Sequence, residues 1–148
     1  MKNVHLKAFI YLFFSIFLDM SMPVNSMFST DFTMLGVIFL SMYIDYRLVI
    51  LYALFFGITK DALNSNIFPL FSVDFMITVI LVKSLLKYLR DKPSFRMVIA
   101  FLIIVFNFIF IAALSKTSLS GYFLLDFISS SFILFLVIDY LFASWIQQ

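Results

Sequence analysis

The chain is built from long apolar runs separated by short polar tracts. The runs cover residues 6–22, 27–44, 48–63, 73–89, 97–114 and 122–145. Each lies close to or above the ~17 residues that a helix needs to cross a hydrocarbon core of about 30 Å. The pattern therefore predicts six transmembrane helices in a single polytopic domain, residues 1–148. The breaks are chemically apt. Pro23 and Asn25 stop the first run, and Asp45, Tyr46 and Arg47 make a tight charged turn after the second. The tract "NSNIFPLF" carries Pro69, which has no place inside a helix. "KSLLKYLRDKPSFR" and "SKTSLSG" close the fourth and fifth runs, and Trp145 is placed as an interface anchor near the end of the sixth. No internal repeat is visible, and no linker is long enough to hold a soluble domain.

Composition sharpens this picture. Hydrophobic residues make up 64% of the chain and charged residues 12%, with a mean hydropathy of +1.13. A soluble domain keeps roughly a quarter of its residues charged, so the expected solvent is lipid. The 22 phenylalanines exceed what one core of this size needs, which sends many rings toward acyl chains. The basic, apolar N-terminus has the look of a signal peptide. Asp19 interrupts it and no small-residue cleavage site follows, so it reads as an uncleaved first span.

Charge placement sets orientation. With six spans, one side receives Lys2, Lys7, Arg47, Lys83, Lys87, Arg90, Lys92 and Arg96, and the other only Lys60 and Lys116. The positive-inside rule then puts both termini in the cytoplasm. A rival arrangement has one crossing between residues 27 and 63, with the rest lying in the interface. It would move the Lys83–Arg96 cluster to the outer side.

Chemistry is sparse. The chain has no cysteine, so it has neither a disulfide framework nor thiolate chemistry, and His5 is its only histidine. No nucleotide loop, zinc motif or nucleophile elbow occurs, so no metal, cofactor or catalytic residue is assigned and the expectation is a non-enzyme. No basic soluble domain exists to bind nucleic acid.

The most informative stretch is "FFGITKDALNSNIFPLF", where two opposite charges end an apolar helix. Two readings stand. In one, Lys60 snorkels to the headgroups beside a neighbouring carboxylate. In the other, Asp61 faces the bundle and fixes a loop, with Gly57 one turn earlier allowing close helix approach and the amides around Asn64 as hydrogen-bond donors. Asp19, Asp31, Asp74 and Asp126 fall near the same side, either as span ends reaching water or as a cation or proton site. Asp19, Asn107, Asp126 and Ser130 are candidate interhelical polar contacts. Lys83, Lys87, Arg90, Lys92 and Arg96 form a cytoplasmic basic patch, for anionic membrane lipids or for an acidic partner. Asp139 reads as an end residue.

Together, "TDFTMLGVIFLSMYID" opening the second span and "GITKDALNSN" closing the third resemble the rod shape-determining MreD family of bacterial inner-membrane proteins. Asp31 and Phe32 match a Pro-Asp-Leu-like start, with Thr30 where proline is common, and Gly57 and Asp61 match a Gly-x-x-x-Asp. The family has a glycine about eight residues after that aspartate, where this chain has Pro69. The resemblance implies an all-α integral membrane protein similar to the six-helix substrate-binding subunits of energy-coupling-factor transporters. It also implies a non-enzymatic scaffold or regulator of cell shape and peptidoglycan elongation in the bacterial inner membrane. The implied partners are MreC directly, and MreB and RodA with its penicillin-binding protein directly or indirectly. On that reading the loop from Lys60 to Phe71 helps present a surface to MreC. The alternative is a small-solute-binding transporter subunit, with its pocket among the polar ends of the first, third and sixth spans.

Overall fold

The computed structural model describes residues 2–21, 31–63, 69–89, 93–115 and 121–147, and these form six α-helices. They are α1 (Lys2–Ser21), α2 (Phe32–Tyr43), α3 (Tyr46–Leu63), α4 (Leu70–Leu89), α5 (Pro93–Ser115) and α6 (Gly121–Gln147). Their order matches the six apolar runs, and the boundaries show what sets each helix end. The second run was expected to be helical from residue 27, and residues 27–30 lie outside the described residues. α2 begins at Phe32, where Asp31 is extended and its carboxylate accepts from Met34 N at 2.8 Å, a helix-capping geometry. The tight turn after α2 works through Asp45, whose carbonyl accepts from Leu48 N and Val49 N and starts α3. Pro69 immediately precedes α4, its carbonyl accepting from Val73 N, and Pro93 opens α5 where a missing N–H costs nothing.

At 12 residues α2 is about 18 Å long, and it is the centre of the bundle. Every residue from Thr33 to Met42 is buried, and α2 packs on all five other helices. A helix that is apolar on every side must be covered on every side. Gly36 brings α1 close, since a Cβ there would lie 2.9 Å from the Tyr11 ring and 3.0 Å from Leu12. The core then extends through Phe39, Phe56, Phe75, Ile104 and Phe135, all buried.

The outer faces are equally apolar. Leu6, Phe13, Phe14 and Phe17 of α1, Leu51 and Phe55 of α3, and Leu125, Ile133 and Leu141 of α6 are exposed. Among the described residues one helical segment, Leu125–Phe142, is long and apolar enough to cross a membrane, while Phe32–Tyr43 and Phe95–Phe110 are shorter apolar segments. The hydroxyls of Ser15, Ser41 and Thr59 donate back to the carbonyls of Tyr11, Val37 and Phe55 four residues earlier, which satisfies them within their own helices.

Candidate functional site

The C-terminal ends of α1 and α3 and the N-terminal ends of α2 and α4 meet at one end of the bundle, and four of the described aspartates, Asp19, Asp31, Asp61 and Asp74, gather there. A helix N-terminus leaves amide hydrogens without intrahelical partners. Here each of two helices takes a carboxylate from the helix before it. Asp19 of α1 accepts from Phe32 N at 2.7 Å, Thr33 N at 3.1 Å and Thr33 Oγ1 at 2.5 Å. Asp61 of α3 accepts from Phe71 N at 2.7 Å and Ser72 N at 2.9 Å, and also from the Ser72 hydroxyl. Both acids stand two residues before the end of their helix, and both grip a Phe-Thr or Phe-Ser pair in the next.

Lys60 joins the two hairpins. Its ammonium lies 2.5 Å from Asp31 Oδ2 and 3.0 Å from Asp19 Oδ2, and also stands over the rings of Phe71 at 4.7 Å and Phe75 at 5.8 Å. Its side chain is only 9% exposed. The snorkelling reading of Lys60 is therefore wrong. With two carboxylates and two aromatic faces inside the bundle, the ammonium has better partners there than at the headgroups. Asp19, Asp31 and Asp61 likewise do not reach for water as simple span ends, since their oxygens are committed to amides, hydroxyls and the ammonium.

Gly57 makes the second hairpin tight. A Cβ built there would lie 2.6 Å from Ser72 Cα and 3.2 Å from the Phe71 carbonyl, so α3 crosses the start of α4 at backbone contact. Asn64 lies outside the described residues. Asp61 spends its oxygens on Phe71 and Ser72. Pro69 is exposed, at the entry to α4.

Of the expected interhelical contacts, Asn107 is buried and accepts from Thr78 Oγ1 at 2.9 Å, joining α5 to α4. Asp126 and Ser130 must be corrected. Asp126 is exposed, and the Ser129 and Ser130 hydroxyls donate to its backbone carbonyl at 3.2 and 2.6 Å, so this polar stripe serves α6 alone. Asp139 is no plain end residue: Tyr43 Oη donates to it at 2.5 Å, tying α2 to α6.

The basic patch divides. Lys83 Nζ donates to the Ile44 carbonyl at 2.6 Å and Arg96 stacks on the Tyr43 ring at 4.7 Å, which makes both part of the packing. Lys87 is exposed, and Arg90 and Lys92 lie outside the described residues. Sequence reasoning missed Thr33, Ser72 and Tyr43. A Phe followed by a hydroxyl residue at the start of the next apolar run, Phe32-Thr33 and Phe71-Ser72, was the available signal for the first two.

Between α1, α2 and α6 lies a cavity of about 260 Å³, bordered by Tyr11, Phe14, Ser15, Leu18, Phe32 and Phe142 among others. Among the described residues no group of three or more His, Cys, Asp or Glu side chains is arranged to hold a metal ion. No family model, curated protein or solved structure matches the chain.

Proposed function

We propose that the protein is a multi-pass membrane scaffold of bacterial cell-wall elongation, of the MreD type, acting by contact with MreC rather than by catalysis. One observation carries this reading. Asp31, Gly57 and Asp61, on which the resemblance to MreD rests, converge on one end of the bundle and hold two helical hairpins in fixed register. A rigid end of this kind is what a partner-binding surface needs, because ordering costs are met before binding. In the proposed topology the six-helix bundle lies across the membrane, with this end outside the cytoplasm and the basic end inside, and α2, about 18 Å long, is enclosed by the other five helices rather than by lipid. Exposed Phe13, Phe14, Phe17 and Phe55 then face acyl chains, an arrangement unsuited to water. MreB and RodA with its penicillin-binding protein are the further partners of this reading, and Lys87 is left to attract anionic lipid.

The second reading, a small-solute-binding transporter subunit, has the cavity between α1, α2 and α6 in its favour. The cavity offers little for a polar solute to hold. Its hydroxyl-bearing neighbours are Ser15 and Tyr11, and Ser15 already donates to the Tyr11 carbonyl at 2.9 Å.

The test is affinity purification of the tagged protein in mild detergent from its host. Near-stoichiometric MreC is the expected result, with less MreC recovered on Asp61→Ala, a variant that still inserts. An energy-coupling ATPase module in place of MreC would support the solute-binding reading instead. Undiminished MreC on Asp61→Ala would mean that the α3–α4 hairpin which Asp61 closes is not what the partner requires.

A further inference from the structure

The cavity between α1, α2 and α6 suits a different guest from a polar solute. Ile10, Phe14 and Leu18 of α1 form one wall and Leu134, Ile138 and Phe142 of α6 the other. Phe32 of α2 stands at the end nearest Asp19. Ile10, Phe14 and Leu18 are also exposed on the outside of the bundle, so the cavity is a groove open along its side rather than an enclosed chamber. From Ile10 to Leu18 it runs about 12 Å along α1. A volume of about 260 Å³ over that length leaves a cross-section of about 22 Å². A helix with its side chains is about 10–12 Å across and cannot lie in so narrow a slot. A single hydrocarbon chain can, and it asks nothing of the walls but apolar contact.

Charge marks one end of the groove. Lys7 precedes Tyr11 by one helical turn and shares the face that carries Tyr11, Phe14 and Leu18. Its side chain is half-buried, and helical side chains lean toward the N-terminus, which here is the basic end of the bundle. Asp139, the acid within the same stretch of α6, is bonded to Tyr43 of α2 rather than turned to the groove. From Lys7 to Leu18 is about 16 Å, close to half of a hydrocarbon core of about 30 Å. A lipid with its headgroup at Lys7 therefore has a chain of the length that the groove takes.

We propose that the groove between α1 and α6 holds one acyl chain of an anionic phospholipid from the inner leaflet, its headgroup paired with Lys7. The chain completes the packing where α1 and α6 stand apart, and the lipid becomes part of the bundle rather than of its surroundings. This rests on the membrane reading proposed above and not on the partnership with MreC.

The experiment is photolabelling of the full chain in phosphatidylcholine vesicles carrying a trace of phosphatidylglycerol with a diazirine in its acyl chain. Mass spectrometry maps the adducts. Labelling of the groove residues of α1 and α6 is expected to exceed several-fold that of the open α3 face at Leu51 and Phe55. Phosphatidylcholine carrying the same diazirine should show no such excess. Lys7→Gln should lower the excess about five-fold, and Leu134→Trp, which fills the groove, should remove it. If Leu134→Trp does not fold, Lys7→Gln decides. Equal labelling of the groove and the α3 face would overturn the site while leaving the membrane reading intact. An excess that Lys7→Gln leaves unchanged, or that phosphatidylcholine shares, would overturn it too. Adducts on no helix would refute the membrane reading and the site with it.

Discussion

The hairpins α1–α2 and α3–α4 use the same device, yet they depend on it differently. In each, a carboxylate near the end of one helix caps the start of the next through two amides and a hydroxyl. Asp61 is complete in that role and needs no cation. Asp19 has a second partner in Lys60, which reaches back from α3 and holds Asp31 as well. The second hairpin is therefore closed by neutral donors and by backbone contact at Gly57. The first is tied to the second by one buried charge. The lesson is that Lys60 and Asp61, adjacent in sequence, do separate work: Asp61 builds a hairpin and Lys60 assembles two of them.

The largest effect follows from breaking that tie. Lys60→Met leaves Asp19 and Asp31 facing each other without a counter-charge. It should cost about 3–5 kcal/mol of stability, as removal of one partner from a buried ion pair does. Thermal or denaturant unfolding in detergent measures it, and a loss below 1 kcal/mol would mean that the cluster is solvated. Next come the glycines. Gly57→Ala drives a Cβ into the backbone of Ser72 and should cost about 1–3 kcal/mol. At Gly36 the nearest atoms belong to the side chains of Tyr11 and Leu12, which can shift, so the same substitution should cost less there. Equal losses at the two sites would contradict the close crossing of α3 and α4. The smallest effect is in α6, where Ser130→Ala removes only a bond within the helix and should change stability by no more than about 0.5 kcal/mol.

Much of the architecture was legible because apolar run length and Pro or charged breaks mark helices in a chain like this one. The start of α2 was not, since Met27 and Phe28 extend the apolar run ahead of Asp31 and only the extended backbone at Asp31 reveals the cap. The role of Lys60 was hidden for a different reason. Its partner Asp19 lies 41 residues away, and a side chain at a span end can turn outward or inward with no trace in the local pattern. The Tyr43–Asp139 bond spans 96 residues and was equally out of reach. Asp126 and Ser130 misled because a polar group inside an apolar run does not reveal whether its side of the helix meets a neighbour. That Asp61 faces the bundle was legible from Gly57 one turn earlier, but its donors were not, since the amides expected were those around Asn64 and the carboxylate accepts instead from Phe71 and Ser72 at the start of α4.

The most direct measurement is a double-mutant cycle between Lys60→Met and Asp19→Asn, read as unfolding free energies of the full chain in detergent. If one buried ammonium joins the two hairpins, the two changes are strongly coupled, by roughly 1–3 kcal/mol, and Lys60→Met costs much less once Asp19 is neutral. Additive losses would contradict the account, because Lys60 and Asp19 would then act on the fold separately.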